Sequence, residues 1–274
     1  MILKTASAGD VARMLDWASK EGWNPGHEDA EAFYASDPEG FFLAEVDGRM
    51  VAAISVVIHS DSFAFLGLYI CHPQFRGQGI GLALWRHALA HAGDRTVGLD
   101  GVAEQQANYA RSGFRHAGAT MRYRGRLKPL AHPDIRALDA RDDLSELDLA
   151  ANGFARPRFL RPWLTQAETR KTVVLQRGKV AGFATARLCR DGGKLGPVVA
   201  ETAADAWALM QAAALSVGVA DVTIDVPGAQ AGFQARLEAA GFRSGFATAR
   251  MYRGPAPAAA APQTLFGVAT LELG

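Results

Sequence analysis

The chain has 274 residues, 49% of them hydrophobic and 21% charged, which is typical of a folded globular protein. Its 29 basic and 28 acidic side chains give a net charge of +1, which argues against nucleic acid as a partner. The two cysteines exclude a disulfide framework and stand in no metal-ligand spacing. There is also no signal sequence and no membrane-spanning apolar run, so we expect a cytoplasmic protein without a metal or a membrane partner.

Hydrophobic spacing predicts alternating helices and strands in the first half of the chain. The Asp47-Gly48 pair between two apolar runs is a strong hairpin signal. The predicted elements, in chain order, are helices at 10–18 and from about 27, strands at 41–46, 50–58 and 63–71, a helix ending near 92, a strand at 96–100, a helix at 103–112, and one bent or two separate strands at 114–127.

The second half repeats the order of the first. Gly113-Phe114-Arg115 recurs as Gly241-Phe242-Arg243, and the hairpin at Asp47-Gly48 has a counterpart at Arg177-Gly178. We therefore predict an α/β protein of two tandem copies of one unit. The first domain covers residues 1–128, a linker interrupted by prolines covers 129–143, and the second domain covers 144–274.

The end of the chain reads as a strand that follows a flexible segment. Residues 255–262 are rich in proline and alanine, and residues 265–273 alternate as a strand does. Two pairings are open for this strand. It completes the second sheet, or it pairs with the first one.

A glycine-rich segment, Arg76-Gly77-Gln78-Gly79-Ile80-Gly81, lies between a predicted strand and a predicted helix. Glycines allow a tight turn and a close approach of the backbone to a ligand. The free amides and the positive end of the following helix attract an anion, and Arg76 can add a contact to a phosphate. The segment fits neither nucleotide-binding glycine motif, because it lacks Gly-Lys-Ser/Thr and the Gly-x-Gly-x-x-Gly spacing. A purely structural turn is the alternative.

The first half resembles the GCN5-related N-acetyltransferase (GNAT) superfamily. Arg76, Gly79 and Gly81 fit its signature Gln/Arg-x-x-Gly-x-Gly/Ala, and Tyr109 stands five residues before the Phe114 of a Gly-Phe pair, as in that family. The match spans most of residues 1–127. The layout of the whole chain is similar to two-domain bacterial acetyltransferases of the YitH type. The resemblance implies that each domain is a mixed, mostly antiparallel sheet flanked by helices.

The resemblance also implies a chemistry for the first domain. Acetyl-CoA is the implied cosubstrate, with its pantetheine arm beside Ile70 and Cys71 and its pyrophosphate on the amides from Gly77 to Gly81, Gln78 and Ile80 included. An amine of a small molecule then attacks the thioester directly, and Tyr109 protonates the departing thiolate. A tyrosine near its usual pKa of about 10 carries that proton at neutral pH.

Two positions leave alternatives open in this comparison. The family often has an asparagine where this chain has Val102, and Gln105 or Gln106 could replace its contact with the cofactor. Cys71 could be proposed as a nucleophile, but its apolar neighbours are typical of an inert packing residue.

The acceptor side requires a base, because an attacking amine must lose a proton. Asp100, at the end of a predicted strand, is our first candidate, with Glu28 and His72 as alternatives. In the family the loop between the first two helices lines the acceptor site. We therefore expect Trp23, Asn24 and Glu28 to bind the acceptor.

The second copy lacks both landmarks of the cofactor site. Residues 197–217 contain no glycine, and Leu237 stands where the first copy has Tyr109. We therefore predict a degenerate second domain and one active site per chain. A non-catalytic CoA-binding regulatory or scaffold protein, or a protein or peptide N-acetyltransferase, are the competing functions. The sequence does not set the oligomeric state.

Overall fold

The structure is a computed structural model that describes every residue from Met1 to Gly274. The first half contains β1 (Ile2–Thr5), α1 (Ala8–Lys20), α2 (Asp29–Ser36), β2 (Phe41–Val46), β3 (Arg49–Ile58), β4 (Phe63–Cys71), α3 (Ile80–His91), β5 (Thr96–Gly101), α4 (Gln106–Arg111) and β6 (Arg115–Arg126). The second half contains β7 (Ile135–Ala137), α5 (Ser145–Asn152), α6 (Pro157–Leu164), β8 (Arg170–Arg177), β9 (Lys179–Leu188), β10 (Gly193–Val199), α7 (Ala203–Ser216), β11 (Asp221–Pro227), α8 (Ala231–Ala239), β12 (Arg243–Arg253) and β13 (Leu265–Gly267).

Local sequence signals explain where these elements begin and end. At the start of α1 the Ser7 hydroxyl accepts a hydrogen bond from the Asp10 amide, while the Asp10 carboxylate accepts one from the Ser7 amide. This reciprocal cap satisfies two amides that a helix start otherwise leaves free. Gly48 and Gly178 both take a positive φ of 73° at the tips of the β2–β3 and β8–β9 hairpins. The predicted first helix and both predicted hairpins are therefore confirmed.

All thirteen strands belong to one mixed sheet with helices on its faces. Its order is β1-β2-β3-β4-β5-β12-β6-β11-β10-β9-β8-β7, and β13 pairs with β10 outside this path. Only the β4–β5 and β10–β11 pairs are parallel. One buried core combines Met14 and Phe33 of the first half with Trp163 of the second. The predicted fold class, two mostly antiparallel α/β units in tandem, is confirmed.

The two halves exchange their last long strands. Strand β6, from the first half, pairs with β11 of the second, whereas β12, from the second half, pairs with β5 of the first. The exchanged strands also pair with each other and join the two sheets. The division at residues 128 and 144 stays a prediction along the sequence, and each half of the sheet contains one strand from the other half of the chain.

The C-terminal tail (residues 265–274) forms less strand than its alternation predicts. Only Leu265–Gly267 pairs, and its partner is β10 of the second half. The remainder continues as turns and is almost entirely buried. No helix of the structure combines the length and the apolar character of a membrane span.

Candidate active site

Strands β4 and β5 separate part of the way along their length. Their pairing ends at Leu66 and Leu99, although β4 continues to Cys71 and β5 to Gly101. Beyond this point Leu68 has a φ of +48°, and the register between β3 and β4 shifts there. A non-glycine residue in this region costs about 1–2 kcal/mol, so the surrounding structure must hold the bulge in place. The result is a gap with free strand edges beside Ile70 and Cys71, where the resemblance implied the pantetheine arm.

The gap opens into a cavity of about 760 Å³, which we call the first-half cavity. The predicted site residues that line it are Trp23, Ile70, Cys71, Arg76, Gly77, Gly79, Gly81, Asp100 and Tyr109. Those that do not line it are Asn24, Glu28, Gln78 and Ile80. The Ile80 side chain is buried in the core beneath α3. Of the two glutamines proposed for the contact of the missing asparagine, Gln105 lines the cavity and Gln106 does not.

The glycine-rich segment forms the turn that enters α3. Gly77 and Gly79 have φ values of 77° and 79°, which glycine adopts without strain, and a side chain at either would meet open space. The amides from Gly77 to Gly81 donate to no protein acceptor. At Gly81, by contrast, a Cβ would lie 2.5 Å from the Tyr69 hydroxyl. Free amides at the positive end of a twelve-residue helix fit a phosphate group.

Arg76 is exposed and contacts the protein on both sides of the turn. Its Nε donates to the Cys71 carbonyl at 2.9 Å, and its guanidinium lies 3.5 Å from the Glu21 carboxylate. Both contacts are at the surface, where an ion pair contributes little to stability. The side chain can therefore exchange Glu21 for a phosphate oxygen at small cost.

Tyr109 is held on the floor of the first-half cavity. Its ring stacks on Trp85, with centroids 5.4 Å apart. Position 101 must be glycine, because a Cβ there would lie 2.8 Å from the Tyr109 ring. Burial raises the pKa of the Tyr109 hydroxyl well above its ordinary value, and the nearby Tyr69 adds to this effect. Tyr109 therefore keeps its proton throughout the physiological range of pH.

Asp100 lines the cavity but is occupied by other groups. Its carboxylate accepts from Arg250 of β12 at 2.7 and 3.1 Å, and the hydroxyls of Thr120 and Thr248 lie 3.3 Å away. The second half repeats this arrangement, because Asp225 of β11 accepts two hydrogen bonds from Arg122 of β6. Each pair joins an exchanged strand to its new neighbour. This geometry disfavours the base role for Asp100, which stays a prediction.

The α1–α2 loop (residues 21–28) is fastened to the second half of the chain. The Asn24 amide group pairs with the backbone of Asp191, and the Glu28 carboxylate accepts from the amide and hydroxyl of Thr169 at 2.7 and 2.5 Å. The buried Lys194 ammonium donates to the Trp23 carbonyl at 2.6 Å. Asn24 and Glu28 therefore position this loop, and Trp23 alone of the three lines the cavity.

The geometry also disfavours the base role of His72 and the nucleophile role of Cys71. The His72 ring lies against Trp17 and Phe75. Burial raises the pKa of the Cys71 thiol, which disfavours the thiolate that a nucleophile requires.

Several cavity residues come from parts of the chain that sequence reasoning did not consider. Arg122, Phe246 and Thr248 lie on the exchanged strands, and Leu271 and Glu272 lie on the C-terminal tail. No motif marks them. A structural signal is Gly67 on β4, where any Cβ would clash with the backbone carbonyl of Glu272.

The equivalent gap in the second half is filled by the C-terminal tail. The pairing of β10 and β11 ends at Leu195 and Ile224, and beyond it β13 pairs with Val198 and Val199. The Val268 amide donates to the Asp225 carbonyl of β11 at 2.9 Å, so the tail bridges both edges of the gap. The start of α7 is capped by the Thr202 hydroxyl, which accepts from the Asp205 amide.

Comparisons with known proteins agree with this architecture. The profile described as Acetyltransferase (GNAT) family matches residues 10–114, and the one described as Acetyltransferase (GNAT) domain matches residues 144–267. The chain is 37% identical to a holothin acyltransferase from Pseudoalteromonas sp. over 279 residues, which cover 99% of this chain and 94% of that protein.

Two solved structures have the same fold. A candidate acetyltransferase from Pyrococcus horikoshii has a TM-score of 0.82 at 19% identity, and the match covers 100% of this chain and 95% of the Pyrococcus chain. A tandem GNAT protein from the clavulanic acid biosynthesis pathway has a TM-score of 0.63 at 19% identity, covering 93% of this chain and 99% of its own.

Two GNAT units in one sheet define a tandem GNAT fold. The chain belongs to the GNAT family and is an acyltransferase of that type.

Proposed function

We propose that this acyltransferase moves an acetyl group from acetyl-CoA to an amine of a small molecule, by direct attack, in the first-half cavity. The observation that carries the proposal is the gap between β4 and β5, which opens onto the unpartnered amides from Gly77 to Gly81. This combination occurs once in the chain, since the C-terminal tail fills the corresponding gap of the second half.

The residues around the gap suit the two parts of acetyl-CoA. The edge of β4 at Ile70 and Cys71 can hydrogen-bond to an extended pantetheine arm as to an added strand, while the Cys71 carbonyl also accepts from Arg76. The amides from Gly77 to Gly81 and the Arg76 guanidinium can bind the pyrophosphate. Acetyl-CoA supplies the thioester whose carbonyl carbon the amine attacks.

Tyr109 is the proposed general acid. Burial keeps its hydroxyl protonated at neutral pH, and the stacking contact with Trp85 restricts the motion of its ring. The hydroxyl can therefore give its proton to the thiolate as it leaves. A protein that only bound acetyl-CoA would need no general acid.

The acceptor side of the cavity supports a small molecule over a peptide. Trp23, Phe246 and Leu271 give it apolar walls, and the α1–α2 loop is held by partly buried contacts to the second half. A fixed loop restricts the volume that the acceptor can occupy. The relative named holothin acyltransferase makes holothin a rational member of any acceptor panel.

The experiment is release of free CoA from acetyl-CoA with a panel of acceptors. The panel contains holothin, amino acids, polyamines, other small amines and unstructured peptides, and mass spectrometry identifies the acylated product. We expect acylation of at least one small amine. Turnover with peptides alone would favour the protein acetyltransferase, and tight binding of acetyl-CoA without turnover on any acceptor would favour the non-catalytic function.

A further inference from the structure

The C-terminal tail connects the two gaps of the sheet. It leaves the gap between β10 and β11 at Val268 and then passes directly against Gly67 of β4, just before the bulge at Leu68. Beyond Gly67 the Leu273 carbonyl lies 2.7 Å from the His59 ring. The tail is therefore anchored on both sides of Leu271 and Glu272, the two tail residues that line the first-half cavity.

Four carboxylates line this cavity, and three of them are accounted for. Asp100 is paired with Arg250, Glu21 lies 3.5 Å from Arg76 at the surface, and Glu104 is exposed. The fourth, Glu272, belongs to a residue that is only 7% exposed. Its carboxylate makes no hydrogen bond and no salt bridge with the protein.

The two cations that interact with the Glu272 carboxylate through space are already engaged with other partners. Arg122 of β6 donates twice to Asp225, and Lys194 of β10 donates to the Trp23 carbonyl. Both cations attract the Glu272 carboxylate through space, and the Cys189 thiol is the other titratable group that it influences. The Glu272 carboxylate oxygens keep accessible surface in the cavity, so they are free to accept a hydrogen bond from a bound acceptor.

We propose that Glu272 receives the attacking amine of the acceptor and takes its proton, an inference that rests on the proposed function. As the new N–C bond forms and the C–S bond breaks, the proton of the nitrogen moves to the Glu272 carboxylate. The departing sulfur keeps the bonding electrons and takes a proton from Tyr109. Glu272 afterwards releases its proton to solvent and Tyr109 regains one, so the cycle balances.

The test compares Glu272→Gln with the wild-type chain on the best acceptor of the panel. A general base contributes about 10²–10⁴-fold, so we expect kcat/KM to fall by about a hundredfold or more while the Kd for acetyl-CoA stays unchanged. Glu201→Gln, at an exposed carboxylate of the second half, is the matched control and is expected to keep full activity.

Chemical rescue distinguishes a base from a structural residue. Glu272→Ala is expected to lose activity in the same way and to regain part of it on addition of formate, because a small carboxylate can enter the vacated space. Glu272→Asp, which keeps the charge, serves as a second variant if the Gln variant does not fold, and it is expected to have intermediate activity.

Three outcomes overturn the inference, and they are separable from one another. If the wild-type chain acylates an acceptor and Glu272→Gln does so at the same rate, Glu272 is not the base and the proposed function stands. If formate fails to rescue a folded and inactive Glu272→Ala variant, the residue is structural. If the wild-type chain acylates no amine, the proposed function and this inference fall together.

Discussion

The two gaps in the sheet begin in the same way and end differently. In the first half the pairing of β4 and β5 stops at Leu66 and Leu99, and in the second half that of β10 and β11 stops at Leu195 and Ile224. The first gap opens into a cavity, whereas the second contains the chain's own tail. The same fold unit thus forms a candidate site in the first half, whereas in the second half it binds the tail whose last residues line that site.

The features that both halves share are those that hold the sheet together. The Asp100–Arg250 and Asp225–Arg122 pairs occupy equivalent positions and fasten the exchanged strands. The glycine turn and Tyr109 occur in the first half only. Chemistry is therefore best sought among the residues that differ between the halves.

Among the substitutions that test the difference between the halves, removal of the Tyr109 hydroxyl is expected to have the largest effect on activity. Tyr109→Phe keeps the stacking on Trp85 but removes the proton, so kcat should fall by about 10²–10⁴-fold with acetyl-CoA affinity unchanged. Steady-state kinetics and calorimetry provide the two readouts. Tyr34→Phe, outside the cavity, is the control. Full activity of Tyr109→Phe would remove the general acid from the mechanism.

The two buried ion pairs are expected to contribute equally to stability. Asp100→Asn and Asp225→Asn should each lower the free energy of unfolding by about 3–5 kcal/mol, because each leaves an arginine of an exchanged strand, buried at Arg122 and mostly buried at Arg250, without its charged partner. Chemical denaturation measures both losses. An Asp100→Asn variant that keeps its stability and loses only kcat would break the equivalence and restore Asp100 as the base.

The glycine turn is expected to tolerate no acidic side chain. Gly79→Glu forces an unfavourable φ and adds a negative charge beside the free amides, so acetyl-CoA affinity should fall by about a hundredfold, or about 2.7 kcal/mol. Gly178→Glu introduces the same substitution at a glycine of similar φ on a hairpin of the second half. The Gly178→Glu variant controls for backbone strain, and its affinity for acetyl-CoA should equal that of the wild type. Equal binding by the Gly79 variant would place the pyrophosphate elsewhere.

The buried His59, which contacts the C-terminal tail, is expected to make a smaller contribution to the pH dependence of the free energy of unfolding. Burial lowers the pKa of His59 to about 3, while an unfolded histidine titrates near 6.5. Between these values the unfolded chain binds the extra proton, so stability should decrease as the pH falls below about 6.5, by up to about 1.4 kcal/mol per pH unit. Thermal unfolding of the wild type and of His59→Phe tests this. The His59→Phe variant should lose less stability than the wild type as the pH falls. If stability depends on pH to the same degree in both proteins, groups other than His59 cause that dependence.

Local sequence signals predicted the parts of the candidate site that lie close together in the chain. Arg76, Gly79 and Gly81 mark a strand–helix turn, and Tyr109 is fixed by its spacing from Phe114. The repeat likewise predicted two similar units. These features depend on a few neighbouring residues and on backbone geometry that glycine permits.

The exchange of strands could not be predicted in the same way. The endings Tyr123-Arg124-Gly125 and Tyr252-Arg253-Gly254 are identical, so either strand suits either sheet. The proposed role of Glu272 could not be predicted from the sequence for a similar reason. Alternation indicated a strand at residues 265–273, but it does not reveal that the tail crosses from one gap to the other.

The number of acetyl-CoA molecules bound per chain is the most direct test of the difference between the two halves. In a calorimetric titration of the wild-type chain we predict one equivalent, bound at the open gap between β4 and β5. Two equivalents would show that the tail does not block the second gap, and an absence of binding would contradict the assignment of the first.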